Sequence, residues 1–302
     1  MADELGADEP GAYALDTAWA RRSFDRAAGN YDAAAVLHTD VRDNLLERLD
    51  LMAIHPKVVV DAGAGTGHAS RALKRRYPDA LVVAMDFSPG MLRAAVRQNS
   101  WLRPFQRLCA DARQLPFAEA SVDLIVSNLL LQWCDPDAVF SEFRRVLSPQ
   151  GLLTLTTFGP DTLRELRAAW GSVDSCSRVH SFIDMHDLGD AMVRNGFVSP
   201  VLDVEQITLQ YRDVNGVAAD LKALGAHNAT VGRPKGLTGR QKFAAMQSAY
   251  EAQRRDGRLP ATYEIIFAHA WVPAHSPQRS TAHGTEVPLA EIRRQLRNRR
   301  EK

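Results

Sequence analysis

The chain has 302 residues, 45% of them hydrophobic, with a net charge of +1 and three cysteines. That length and apolar content allow one large core, or one core with a small appendage. Cys109, Cys134 and Cys176 are odd in number and lack C-x-x-C spacing, which argues against a disulfide framework or a zinc site. From Pro273 onward there are seven Lys/Arg against three Asp/Glu, leaving the body before it slightly acidic and disfavouring a dedicated nucleic-acid binder.

Taken in chain order, residues 1–18 read as a flexible acidic extension without an apolar signal region. No apolar run approaches the length needed to span a bilayer, so a soluble, cytoplasmic protein without membrane partners is expected. Helical spacing around Phe24, Ala27, Tyr31, Val36 and Leu45 predicts a lid over about 23–49. Val58, Val59 and Val60 form a buried-strand pattern that meets the turn Gly63-Ala64-Gly65-Thr66-Gly67. Strands and helices then alternate: helix 68–76, strand 81–85, helix 89–97, strands 105–109 and 122–127, helix 137–147 and strand 151–158. This rhythm predicts a doubly wound, mostly parallel α/β sheet. After Phe158 helices are expected near 161–170, 184–195, 214–226 and 239–254, with strands near 201–211 and 262–272. The two late strands complete a seven-stranded sheet, and the helices between form a cap over the strand ends. Residues 273–302 read as a mobile basic tail.

Three acids follow three successive strands, and their spacing carries the chemistry. The dinucleotide pattern G-x-G-x-x-G would require glycine at position 68, where His68 stands. Asp61, just before the turn, would repel a pyrophosphate but suits a ligand bearing an ammonium and a sulfonium. Asp86, at the end of the second strand, can accept from ribose hydroxyls, although NAD-binding folds place an acid at a similar distance. Asp111 can accept from an adenine amino group while the Ala112 N–H donates to the ring.

Asp61, the three glycines, Asp86 and Asp111 match class I S-adenosylmethionine-dependent methyltransferases in order and spacing. The resemblance covers about residues 20–160 and implies a Rossmann-like fold and S-adenosylmethionine as cofactor. By it, Gly63, Gly65 and Gly67 bound the methionine end, Asp86 the ribose, and Asp111 with Ala112 the adenine; Asp61, Phe87 and Asn128 complete the cofactor set. No metal is implied.

The acceptor must be read from the end of the fourth strand and from the cap. Ser127-Asn128-Leu129-Leu130-Leu131-Gln132-Trp133 lacks the prolines and the ring of base N-methyltransferases. It also lacks an evident general base, which a carboxylate nucleophile, already ionised at neutral pH, would not need. His180 and His186 are the candidates if a base is required. Segments 24–31, 127–133, 232–240 and 260–264 together resemble malonyl-[acyl-carrier protein] O-methyltransferases of early biotin synthesis, from about residue 19 to 272. Within that domain the cofactor core would span about 56–158, the cap 159–256 and the last strand 262–272. The resemblance implies methylation of the free carboxyl of a malonyl thioester, with acyl-carrier protein or malonyl-CoA as partner. It places Tyr31 near the reacting carboxylate and leaves His180, Arg233 and Lys235 as substrate-binding candidates. Two alternatives stay open: a methyltransferase acting on a small carboxylic acid, and a methyltransferase-fold assembly or protein-modifying factor of a respiratory complex.

Overall fold

β-Branched residues dominate β1 (Val58–Ala62), which is covered on both faces as a central parallel strand must be. The computed structural model describes residues 15–274 except 177, 180, 234, 235 and 237, together with 279–281 and 284–286. β1 pairs in parallel with β2 (Leu81–Asp86) and β4 (Val122–Asn128), β2 with β3 (Gln106–Cys109), and β4 with β5 (Leu147–Phe158). β7 (Leu259–Trp271) runs antiparallel to β5 and to the edge strand β6 (Val198–Tyr211). The order is β3-β2-β1-β4-β5-β7-β6, the mostly parallel seven-stranded sheet expected from the sequence.

Alternation along the strands divides the core into two layers. Val59 and Leu124 pack with Leu37, Val41, Leu45 and Leu73 on one face; Val60 and Ile125 pack with Phe140, Phe143, Leu188 and Met192 on the other. α6 (Pro136–Val146) shows why such helices form here. Asp135 accepts from the Asp137 N–H at 3.0 Å, proline occupies the first turn, and Val139, Phe140, Phe143 and Val146 lie on one buried face. Truncating Phe143 to alanine would cost about 3–5 kcal/mol.

The continuous lid expected over 23–49 is instead three helices: α1 (Thr17–Ala27), α2 (Tyr31–Ala34) and α3 (Val36–Arg48). The chain turns at Gly29 and Asn30, and α1 starts early because Asp16 caps it, accepting from the Trp19 N–H at 2.9 Å. The expected four-helix cap also needs correction. α7 (Arg164–Gly171), α9 (Val214–Ala223) and α10 (Arg240–Glu251) do share a small core of Ala169, Val217, Met246 and Tyr250. α8 (Met185–Arg194) instead joins the sheet's own layer, burying Leu188, Ala191 and Met192 beside α6. Its apolar stripe reads identically for either role.

Within the stretch expected to be a tail, β8 (Arg279–Thr281) pairs antiparallel with β9 (Gly284–Glu286). The acidic extension up to residue 14 lies outside the described residues. Among the described residues no helix is long and apolar enough to cross a membrane.

Candidate active site

The glycine turn leads from β1 into α4 (His68–Arg76) at the carboxyl edge of the sheet. Gly65 has φ +52° and nothing within 4 Å of where a Cβ would sit, so its backbone presents an open surface to the cavity. Gly63 lines the same cavity. Gly67 is not among its lining residues: at φ +83° it starts α4, and a Cβ there would come within 2.9 Å of the Ala95 Cβ. Asp61 is likewise absent from the lining. It is buried, accepts from Ser70 Oγ at 2.5 Å, and ties β1 to α4. Burial pushes its carboxyl up to about 7.

Asp86 does face the cavity, and its carboxylate also shapes the turn. One oxygen accepts from the Gly65 N–H and the other from the Ser88 N–H, both at 2.8 Å. Burial raises its pKa to about 6 despite these bonds. Phe87 follows in the lining, with Phe24 edge-on to it at 6.0 Å and edge-on to Trp133 at 5.1 Å, so three rings surround one lobe. Asp111 and Ala112 line that lobe too. Arg113 donates to Asp111 through Nε at 3.0 Å and Nη2 at 2.6 Å, and this pairing holds the carboxyl below its usual range. The Asp111–Arg113 pair was not evident from the sequence, where Asp111 stood alone.

Two acids of the lid, also missed from sequence, fasten it over this lobe. Asp25 Oδ1 accepts from Ser88 Oγ and from the Gly90 N–H, each at 2.7 Å, joining α1 to the start of α5 (Pro89–Ala94). Asp32 accepts from Thr66 Oγ1 at 2.6 Å and lies 3.2 Å from His68 Nε2, joining α2 to the glycine turn. Asn128 lines the cavity while its amide donates to the His38 carbonyl at 3.1 Å and its oxygen accepts from Thr156 Oγ1 at 2.8 Å. It therefore pins α3 to the strand ends.

Tyr31 and His38 meet edge-on at 5.8 Å in the cavity wall. Burial raises the Tyr31 pKa, keeping the phenol protonated, and lowers that of His38 to about 4, keeping the imidazole neutral. His38 Nδ1 is buried without a hydrogen-bond partner among the described residues. Beyond this pair the cavity is largely apolar, walled by Phe158, Leu163, Leu166, Val179 and Phe182. Arg178 is a cation in that wall, held by Asp174 at 2.8 Å and Thr238 at 2.9 Å and stacked over Trp170 at 4.4 Å. Its sequence neighbourhood carried no motif to mark it.

Of the candidate substrate residues, His180 and Lys235 lie outside the described residues. Arg233 is not in the cavity lining; it pairs with Asp16 at 3.0 Å and sits 5.1 Å from the Trp19 ring, clasping the start of α1. His186 is exposed on α8.

This geometry suits an adenosyl ligand: a backbone surface at Gly65, an ionisable acid at Asp86, a second at Asp111, and aromatic faces between them. The methyltransferase domain family matches residues 60–155. A malonyl-[acyl-carrier protein] O-methyltransferase from Methylovorus sp. (strain MP688) is 54% identical over 269 residues, covering 87% of this chain and 91% of that protein. The chain belongs to this family. A second member, from Laribacter hongkongensis (strain HLHK9), is 50% identical over 285 residues, covering 91% of this chain and 96% of the relative. The YcgJ protein from Bacillus subtilis, a solved structure, shares the fold at TM-score 0.55 and 16% identity over 76% of this chain and 97% of its own.

Proposed function

We propose that this protein transfers a methyl group from S-adenosylmethionine to the free carboxylate of a malonyl thioester on acyl-carrier protein. The product is the malonyl methyl ester that primes pimeloyl synthesis for biotin. S-adenosylmethionine, when bound, supplies an electrophilic methyl on a sulfonium. Asp86 would accept from its ribose, Asp111 and Ala112 would engage its adenine, and Gly63 and Gly65 would border its methionine end.

The carrying observation on the acceptor side is the character of the wall. It is apolar around Leu163, Leu166, Val179 and Phe182, and burial lowers the pKa of both histidines that line the cavity, His227 and His38, the latter to about 4. A group that weakly basic suits a nucleophile that arrives already ionised, as a carboxylate does. An apolar wall strips water from that carboxylate and raises its reactivity, while the lid fixes its line of approach. Tyr31, protonated and beside His38, would donate to the acyl group and orient it.

Mass spectrometry of malonyl-carrier after incubation with enzyme and S-adenosylmethionine tests this, with acetyl-carrier as control. The expected result is the mass gain of one methyl ester on the malonyl form alone. Methylation of free malonate in preference to its thioesters would instead favour the small-acid reading.

A further inference from the structure

A second, open recess adjoins the acyl cavity and shares Arg178 with it. Its other lining includes Arg240, Lys242, Thr238, Gly236 and Gly239. Arg240 and Lys242 stand in the first turn of α10, a helix of 12 residues whose start carries no side-chain cap and no acid. Its first turn lines the recess, and the N–H groups there carry the positive end of the helix dipole without a side-chain acceptor. Gly236 and Gly239 have nothing within 4 Å of where a Cβ would sit, which keeps the floor open to a ligand.

The charges are unbalanced. Asp174 is shared by Arg178 at 2.8 Å and Lys242 at 3.2 Å, while Arg240 has no ion pair or hydrogen bond through its side chain among the described residues. Three cations thus face one carboxylate. The Arg178 side chain is only 14% exposed, and its Nε is buried without a partner among the described residues. A guanidinium fixed by Trp170, Asp174 and Thr238 is preorganised to recognise an oxyanion. A solvated cation would be held loosely; Arg178, in the loop after α7, is anchored where the recess meets the acyl cavity.

We propose that the recess of Arg178, Arg240, Lys242 and the uncapped start of α10 binds the phosphate of the substrate's 4′-phosphopantetheine arm. This rests on the malonyl-thioester reading and adds where the arm leaves the cavity. The thioester end enters the apolar cavity, and the phosphate remains at its mouth against helix N–H groups and guanidinium. Malonyl-CoA carries the 4′-phosphate within a diphosphate and the carrier carries it as a phosphodiester, so both present its oxygens to this contact and differ beyond it.

The test compares kcat/KM for malonyl-pantetheine, malonyl-4′-phosphopantetheine, malonyl-CoA and malonyl-carrier in the wild type and in the double variant Arg240→Gln, Lys242→Gln. The wild type should prefer the phosphorylated small substrate over malonyl-pantetheine by about tenfold or more, through KM. The double variant should bring that ratio near one and lose a similar factor on malonyl-CoA and malonyl-carrier, with Arg240→Lys restoring part of it. Calorimetry with 4′-phosphopantetheine and pantetheine, needing no turnover, should show tighter binding of the phosphorylated form in the wild type and loss of that difference in the double variant.

Equal use of all four substrates would overturn the phosphate site while leaving the methyl-transfer reading intact. A loss confined to malonyl-carrier would also overturn it, because the cations would then contact the carrier's surface. Methylation of none of the four, with phosphate-dependent calorimetric binding retained, would support the recess and refute the malonyl reading.

Discussion

Replacing Asp86 with asparagine separates the acid's shaping of the glycine turn from the ligand role proposed for it. In the free protein the carboxylate accepts from the Gly65 and Ser88 N–H groups at 2.8 Å each. An amide can accept from one and must turn its NH2 toward the other, leaving a buried donor unpaired at a cost of about 1–3 kcal/mol. Against this, the ionised carboxylate is itself disfavoured by burial, its pKa lying at about 6 rather than 3.8. A shift of that size corresponds to roughly 3 kcal/mol at neutral pH, which the neutral amide recovers. The terms nearly offset, so the thermal unfolding midpoint at pH 7.5 should move little. Cofactor affinity has no such compensation. Loss of charge assistance to ribose hydroxyls should weaken S-adenosylmethionine binding by about 2–3 kcal/mol, roughly 30- to 150-fold in Kd. Titration calorimetry at pH 7.5 reads this directly. Wild-type affinity should also fall as pH drops below about 6, where Asp86 protonates, while the variant stays flat. A Kd within threefold of wild type would refute the ligand role and leave Asp86 as a brace of the turn.

Other perturbations test its neighbours. Asp61 has a folded pKa of about 7 against 3.8 unfolded, so the folded state holds an extra proton between those values. Its contribution to stability is complete below 3.8 and is lost as pH rises through 7; Asp61→Asn should therefore gain stability over wild type between pH 5 and 8, and parallel unfolding curves would count against the assignment. A Cβ on Gly90 would meet Asp25 at 2.8 Å and its backbone at 2.9 Å, so Gly90→Ala should push α1 off α5 and speed proteolysis within 17–27, with cofactor binding weakened about tenfold. Unaltered cleavage would show the lid is not held there. Asp111→Asn should narrow the preference for S-adenosyl over S-inosyl ligands, because an acceptor for the adenine amino group is weakened; an unchanged ratio by calorimetry would reassign Asp111 to positioning Arg113.

Long periodic segments were legible in the sequence, and local ones with long-range partners were not. The strands around Val58–Val60 and Leu81–Met85 carry their fold in their own composition, and the helix over 68–76 matched to the residue. The break at Gly29 and Asn30 was readable in principle, but the lid's apolar spacing continued across it. α8 was misplaced because an amphipathic stripe states that a face is buried and not against what. At the site, strand-end acids were visible from spacing, whereas Asp25, Asp32 and Arg178 act through partners 63, 34 and 60 residues away. Arg233 looked like a substrate contact because its loop is rich in glycine and proline; its partner Asp16 lies 217 residues earlier.

That clasp has a consequence for biogenesis. Leu15 bridges to Thr230, the Asp16 N–H donates to the Ala229 carbonyl at 2.7 Å, and Arg233 closes on the Asp16 carboxylate. At ribosomal rates the residues that receive α1 follow it out by roughly 10–40 s. A nascent chain can therefore close α1 and α2 on β1 to β5 through Asp25 and Asp32, and gains the second fastening, at Asp16, only once Ala229 to Arg233 have emerged. A truncated product ending before Ala229 would keep the lid's fastenings at Asp25 and Asp32 and lose the one that fixes the start of α1.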